Sequence, residues 1–307
     1  MTGNAPEQAV ISIVIVTRNR AGTLRLTLEA ISQLAIPDGL LPELIIVDNG
    51  STDTTPDLIR AARADLPFAC RCLHEPTPGV SGARNRALED ARGAITAMID
   101  DDCLPARDWI ASIWRHFQDD PDLDLVGGRI ELHDQSQQPV TVLLSRQPKH
   151  LTRTADLRNF ILGCNMAFRT ERVLSLGGYD PRFGPGAILR SGDDFDLLYR
   201  AWRAGFRVLY APDIVVTHNH GRTSRRQIRE LERRYQFGRG AFLAKHLLAG
   251  RGEVLTILWL RLRPPVRAFF REPDRLRVAI RYLRRVSSVY MLPIGAVRYL
   301  MTRSPSP

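Results

Sequence analysis

The side chains best suited to chemistry fall in three short groups. Asp100-Asp101-Asp102 sets three carboxylates in a row, Asp193-Asp194 sets two, and His218-Asn219-His220 offers two imidazoles. Adjacent carboxylates repel one another, and each loses hydration if it is buried. A hard dication removes that penalty. Mg²⁺ or Mn²⁺ takes one or two carboxylates together with diphosphate oxygens. A solvated acidic turn is the other reading of the triplet. Asp193-Asp194 follows Ser191-Gly192, so it can cap a helix whose dipole favours negative charge. A carboxylate held there can also act as a general base. The two histidines could be metal ligands or merely exposed loop residues.

These groups need a scaffold, and the apolar pattern supplies one. Residues 11–17 and 44–47 are continuous apolar runs rich in β-branched residues, which reads as strands buried on both faces. Residues 69–74 and 94–99 read as two more strands. Helical stretches are expected at 23–34, from about 54, at 81–92 and at 105–117, with Pro105 at a helix N-terminus. This β-α alternation predicts an α/β fold with a doubly wound, Rossmann-like, mostly parallel sheet. Further on, strands are expected at 125–132, 160–168, 206–210 and 214–217, and helices at 170–176 and 193–204. Residues 133–157 read as a variable loop. In open α/β sheets ligands bind beyond the carboxyl ends of the strands. Thr17-Arg18-Asn19, Asp48-Asn49 and Asp100-Asp101-Asp102 all stand at such ends, which points to one nucleotide-sized pocket.

Composition excludes several classes. The chain of 307 residues is 44% hydrophobic and 25% charged, which is globular. There is no Walker lysine and no G-x-G-x-x-G after the first strand, which argues against P-loop NTPases and dinucleotide-binding oxidoreductases. The cysteines are Cys70, Cys72, Cys103 and Cys164. That spacing is neither a zinc pattern nor a disulfide framework, and it suits a reduced, cytoplasmic setting. Met1 to Val10 is polar and lacks the apolar core of a signal peptide, and residues 1–10 are expected to be disordered.

The formal charge of +10 is unevenly spread. From Arg222 onward there are 20 Lys+Arg against 5 Asp+Glu, which leaves 23 against 28 before it. The expected division is therefore a catalytic domain over 11–223 and a basic helical region over 224–307. Within the latter, 274–292 is amphipathic, with arginines along one face. Such a helix can lie on an anionic membrane surface, on the inner face of the cell membrane. Nucleic acid is the less favoured partner. The third reading is a helix packed on the catalytic domain with its arginines in water.

Five strings together carry a family resemblance. They are Val16-Thr17-Arg18-Asn19-Arg20, Ile46-Val47-Asp48-Asn49-Gly50-Ser51-Thr52-Asp53, Gly79-Val80-Ser81-Gly82-Ala83-Arg84-Asn85, Ile99-Asp100-Asp101-Asp102 and Gly192-Asp193-Asp194-Phe195-Asp196-Leu197. In order and spacing the chain resembles the family 2 glycosyltransferases over roughly residues 12–221. The resemblance implies the GT-A fold and transfer of a sugar, with inversion, from a nucleotide-sugar donor to a glycan or lipid-linked acceptor. It implies that Thr17, Asn19 and Asp48 line the nucleoside pocket. Arg84 would stand near the base or diphosphate, with Asp100 and Asp101 in the donor site. It further implies Asp102 as metal ligand, with His218 as the matching histidine. Gly163, Cys164 and Asn165 would face the donor sugar. Asp194 would be the general base, beside Asp193, which stands where the family usually has Glu and would position the acceptor. UDP is the default nucleotide.

Gln236-Phe237-Gly238-Arg239-Gly240 is similar to the Q-x-x-R-W string of processive synthases in this family, without the Trp. A non-processive enzyme is therefore expected. Two other functions remain open from sequence: a sugar-nucleotide-binding protein without turnover, and a nucleotidyltransferase.

Overall fold

The first strand, β1 (Ala9–Thr17), lies at the centre of the parallel half of a nine-stranded sheet. It is flanked by β2 (Leu40–Asp48) and β4 (Ile95–Ile99), and β2 is flanked by β3 (Ala69–His74), all parallel. The computed structural model describes residues 9–157, 159–257, 259 and 291–302. The apolar runs are buried as their composition requires: Ile11, Ile13 and Ile15 of β1 and Leu44 to Val47 of β2 are inaccessible to solvent. Register decides where these strands stop. Thr17 pairs with Asp48, and Asp48 with His74, so three strands end level on one edge of the sheet. The crossovers α1 (Ala21–Ser32), α2 (Thr55–Ala62) and α3 (Val80–Asp90) close this half.

The second half is mixed. After β5 (Cys103–Pro105), α4 (Trp109–Asp119), β6 (Leu123–Leu132) and β7 (Lys149–His150), strand β8 (Asn165–Arg169) inserts antiparallel between β4 and β6. Strand β9 (Arg207–His218) runs parallel to β6, and short β5 and β7 pair antiparallel with β9. The long strands β1 to β4, β6 and β9 all point the same way, so the sheet is mostly parallel as expected. Two pairings place chemistry. Ile99 faces Asn165, so β8 begins where β4 ends, and Cys103 faces His218 across β5 and β9.

Three sequence expectations are corrected here. Pro105 ends a strand rather than opening a helix, and α4 starts at Trp109. The proline sits on the terminal strand of the sheet, where a missing N–H costs no ladder bond. The strand expected over 160–168 is confined to β8. Phe160 and Ile161 are apolar because they are buried in the turn before it, with Ile161 against Gly127 of β6. The two strands expected at 206–210 and 214–217 are one continuous β9, with its register shift at Gly128/Arg129 of β6.

Helices α5 (Thr170–Ser175) and α6 (Asp193–Arg203) lead into the C-terminal region. There α7 (Arg225–Leu248) opens on a capping box, in which the Ser224 hydroxyl accepts from Gln227 N and Gln227 Oε1 accepts from Ser224 N. Its first turns, including Arg225, Arg226, Arg229, Arg233 and Arg234, are exposed, whereas Phe237, Ala241 and Phe242 are buried. Phe242 meets Phe195 and Tyr199 of α6 edge to face, with ring centroids 4.7 and 5.2 Å apart. The ionic contact beneath is buried: Asp196 accepts from Lys245 Nζ at 2.9 Å, and its other oxygen lies 2.8 Å from His246 Nε2. Helix α8 (Met291–Met301) crosses α7 at Gly240 and Gly295. A Cβ on Gly240 would run into the Leu292 carbonyl oxygen, so the last position of the Gln236–Gly240 string holds only a hydrogen here. The helix expected over 274–292 lies outside the described residues, except that its last two positions open α8. Residues 1–8 also lie outside them.

Candidate active site

Three strand ends deliver the site. At the end of β1 the Thr17 hydroxyl donates to Asp101 Oδ2 at 2.7 Å, which turns Asp101 inward. Asn19 follows with φ 53°, and its Oδ1 accepts the backbone N–H of Thr52 at 2.7 Å. It thus ties the loop after β1 to the loop after β2. Asp48 accepts Ser51 N at 3.1 Å, with His74 Nδ1 3.5 Å from its second oxygen. Asn49 binds three backbone groups, Glu75 O, Thr77 O and Gly79 N, and so fixes where α3 begins.

The acidic triplet splits by direction. Asp100 keeps 40% of its side chain exposed, whereas Asp101 and Asp102 are buried. Asp102 Oδ2 accepts from Arg20 Nη1 at 2.7 Å, and its Oδ1 lies 3.3 Å from His218 Nε2. Burial opposes charge on Asp102, but the hydrogen bond and charge of His218, with the charge of Arg20, bring its pKa down to about 2. Burial likewise opposes protonation of His218, yet the Asp102 contact pushes it up to about 9. For Asp101, burial pushes its pKa up to about 7 against the pull of Arg20. The pair Asp102 and His218, with exposed Asp100 beside it, is an oxygen-and-nitrogen donor set that suits Mn²⁺ or Mg²⁺. Arg20 and His218 meet the Asp102 charge.

The second carboxylate group is assembled across the sheet. Asp193 and Asp194 are the first two residues of α6, after Gly192. Arg84 of α3 reaches between the two acidic groups, with Nη1 donating to Asp193 at 2.6 Å and Nη2 to Asp100 at 2.9 Å. Its guanidinium also lies over the Tyr179 ring, 5.4 Å from the centroid. Burial disfavours charge on Arg84, but the two carboxylates outweigh it and hold its pKa above the ordinary value. Burial in turn pushes the Asp193 carboxyl above the usual range, against the pull of Arg84. Asp194 is less buried. Its Oδ2 accepts Gly163 N at 3.1 Å and its Oδ1 accepts Phe195 N at 2.7 Å, so two backbone donors fix the carboxylate. A Cβ on Gly163 would come within 3.1 Å of Arg84 and 3.3 Å of the Asp194 Cβ, so a glycine is what lets these elements meet.

Arg84 is 5% exposed with both terminal nitrogens on carboxylates, so it bridges Asp100 and Asp193. Asn165 is wholly buried and does not face a sugar: Oδ1 accepts from Trp109 Nε1 at 2.9 Å, while Nδ2 donates to Arg129 O and Ile214 O at 3.0 Å. Its amide joins α4, β6 and β9.

Sequence reading also missed residues. Arg20 has no role in the sequence reading, although a cation three residues past a strand end is the available signal. Tyr179 is buried with a hydroxyl that has no hydrogen-bond partner among the described residues. Tyr235 of α7 is partly buried, and burial with the nearby Asp194 charge raises its phenol pKa. Cys103 and Cys164, isolated in sequence, come together with His218, their sulfurs and a ring nitrogen within 4.8 Å.

Parallel strands ending on a carboxylate-rich edge, continued by a mixed half sheet, define the GT-A glycosyltransferase architecture. Solved structures share it. A mannosyltransferase of Pyrobaculum calidifontis, PcManGT, in complex with GDP-Man and Mn²⁺, superposes with a TM-score of 0.63 at 21% identity, over 96% of this chain and 88% of that one. Residues 1–349 of Staphylococcus aureus TarS, in complex with UDP-GlcNAc, superpose with a TM-score of 0.57 at 14% identity, over 95% and 92%. The profile of the glycosyl transferase family 2 matches residues 12–172, and the chain belongs to that family. Among curated relatives, the pre-mycofactocin glycosyltransferase of Mycobacterium tuberculosis is 28% identical over 249 residues, covering 78% of this chain. The match spans 48% of that relative, so the chain aligns with about half its length.

Proposed function

We propose that this chain transfers a sugar from a nucleoside diphosphate donor to an acceptor hydroxyl, inverting the anomeric carbon in one displacement. The observation that carries this is the placement of Asp194. Two backbone N–H groups hold its carboxylate at the start of α6, and Arg84 links its neighbour Asp193 to Asp100 on the opposite strand end. Each carboxylate oxygen keeps lone-pair capacity beyond the backbone bond it accepts. Asp194 therefore accepts the proton of the attacking hydroxyl, for a contribution of about 10²–10⁴ in rate. Thr17, Asn19 and Asp48 form the nucleoside wall, with Asp48 accepting from the base. Arg20 stands beside Asp102 with 40% of its side chain exposed, and takes the phosphate-facing role first given to Arg84. Asp102 and His218 would hold Mg²⁺ or Mn²⁺, which when bound stabilises negative charge on the leaving diphosphate. One base suffices, unlike the carboxylate pair of a glycosidase.

The donor reading draws on the GDP-Man and UDP-GlcNAc of the structural relatives. UDP-sugars are the first to test. The acceptor is a glycan or a lipid-linked saccharide. Ile294, Val297, Leu300 and Met301 of α8 are exposed beside Arg298, and among the described residues no helix is long and apolar enough to cross a membrane. We assign that face to an anionic membrane surface, where a lipid-linked acceptor would be presented. Sedimentation with anionic but not zwitterionic vesicles would support this.

The deciding assay is nucleoside diphosphate release from a panel of nucleotide sugars with Mn²⁺ or Mg²⁺ and lipid or glycan acceptors. Wild type should release diphosphate from one donor. Asp194→Asn should lose about 10²–10⁴ of that rate while binding the donor equally well. Pyrophosphate in place of nucleoside diphosphate would mean nucleotidyl transfer. Unchanged turnover in Asp194→Asn would remove the proposed base.

A further inference from the structure

The cysteine pair beside the acidic triplet has no part in sugar transfer, and its surroundings are those of a metal site. Strand register sets Cys103 of β5 directly opposite His218 of β9. Cross-strand neighbours have Cβ atoms about 4.5–5.5 Å apart. Cys164 comes from the turn before β8, which begins opposite the end of β4. The two sulfurs and an imidazole nitrogen all lie within 4.8 Å of one another, and all three residues are buried. Asp102 borders the group, with Oδ1 3.9 Å from Cys103 Sγ and 3.3 Å from His218 Nε2. The second ring nitrogen of His218 lies 3.1 Å from the Thr141 hydroxyl, an outer contact of the kind that orients a ligating imidazole. The backbone is pinned as well: Asn219 N donates to Asp102 O at 2.7 Å, and His133 N to His218 O at 3.2 Å.

We propose that Cys103, Cys164, His218 and Asp102 form a tetrahedral site for a thiophilic dication such as Zn²⁺. Two thiolates, an imidazole and a carboxylate fit zinc or cobalt, and do not fit Mg²⁺ or Mn²⁺, which prefer oxygen. Zn–S bonds of about 2.3 Å set tetrahedral ligand atoms roughly 3.5–3.8 Å apart. The two sulfurs and the ring nitrogen, within 4.8 Å of one another, therefore close by up to about 1.3 Å on binding, and Asp102 moves in with them. Each thiol gives up its proton to solvent on coordination. The site shares Asp102 and His218 with the proposed Mg²⁺ or Mn²⁺ site, so the two ions exclude each other and zinc inhibits transfer. That consequence rests on the reading of Asp102 and His218 given above; the binding itself does not.

The experiment is a Co²⁺ titration of the metal-free full chain, followed by absorbance. Wild type should develop the near-ultraviolet thiolate-to-cobalt band and the intense visible bands of tetrahedral cobalt. Cys103→Ser and Cys164→Ser should each lose the thiolate intensity and bind Zn²⁺ at least ~100-fold more weakly in competition with a chromophoric chelator. Cys72→Ser, on the distant strand β3, should behave as wild type. Circular dichroism of each variant separates loss of a ligand from loss of fold, and Cys103→Ala gives a second probe of that position. Absence of a thiolate band in wild type, or its persistence in both Cys103→Ser and Cys164→Ser, overturns the proposal. In the transfer assay, Zn²⁺ should inhibit Mn²⁺-supported release, and the half-inhibiting concentration should rise ~100-fold in Cys103→Ser, each variant compared with its own zinc-free rate. Cobalt and zinc binding without inhibition would uphold the site and overturn the shared-ligand reading instead.

Discussion

The two halves of the molecule hold their functional groups by different physics. In the parallel half, Thr17, Asp48 and Asp100 stand where strands stop, and strand register alone brings them to one edge. Their partners lie in the loops at the same strand ends, as with Asn19 to Thr52, Asn49 to Thr77 and Thr17 to Asp101. In the mixed half, position depends on buried charge across long sequence gaps. Arg84 meets Asp193 of α6, and Asp196 meets Lys245 and His246 of α7. Register tolerates the loss of any one side chain, because a backbone ladder sets it. A buried ion pair does not, because removing one partner leaves the other uncompensated. The base, Asp194, belongs to the more fragile half.

Arg84 is the link between the halves, so breaking it should have the largest effect. Arg84→Met keeps much of the volume but leaves Asp193 buried without its cation and Asp100 without its tether. The expected loss is about 3–5 kcal/mol in stability, read as a lower midpoint in urea unfolding. Activity should fall with it, through misplacement of α6. The double variant Arg84→Met/Asp193→Asn should recover part of the stability, because the stranded charge is gone. If Arg84→Met proves as stable as wild type, charge pairing does not hold α6, and the contrast between the halves fails.

The same contrast explains what could be read from sequence. The runs 11–17 and 44–47 are apolar without interruption, and only a strand buried on both faces makes use of that. Their ends, and the acids standing there, follow directly. Asn165 reads as sugar-facing only because the resemblance places its segment there, while its amide closes three internal hydrogen bonds. Nothing local distinguishes the two cases. Residues 160–164 read as strand in the sequence because their burial comes from tertiary packing, which hydrophobic pattern cannot separate from sheet pairing. The approach of Cys103 and Cys164 was invisible for the same reason: 61 residues apart in numbering, they meet only through the pairings of β5 and β8. Arg84 is legible as important, but its bridge from Asp100 to Asp193 is not, since an arginine near acids suits a phosphate as well as a bridge.

An effect of middle size is expected at Asp196, which joins α6 to α7. Burial opposes its charge, but His246, Lys245 and Arg200 depress its pKa well below the usual carboxylate range. An unfolded aspartate titrates near ~3.9. A folded-state value below that means its stabilising contribution is fully present above pH ~4 and fades as pH falls toward the folded value. Asp196→Asn should therefore cost roughly 1.5–3 kcal/mol at pH 7, with Lys245 still paired to Asp180. The gap between variant and wild type should narrow on acidification below pH ~4. Denaturant unfolding at several pH values measures it. A gap independent of pH would mean that packing of Phe242 against Phe195 and Tyr199, not charge, joins the helices.

The smallest effect tests the far end of α7, where neither register nor buried charge operates. The first turns of this helix are exposed, so local capping carries their stability. Ser224→Ala removes the side-chain acceptor for Gln227 N and should cost about 1 kcal/mol. Because Phe237 and Phe242 anchor the second half, the loss should appear as fraying of residues 225–234, seen as faster amide exchange there, with little change in global unfolding. Exchange that rises along the whole of α7 would show that the cap is coupled to the buried half. In that case the exposed arginines would be tied to the site through Tyr235 and the Asp196 contacts, and the tail would belong energetically to the catalytic half it packs against.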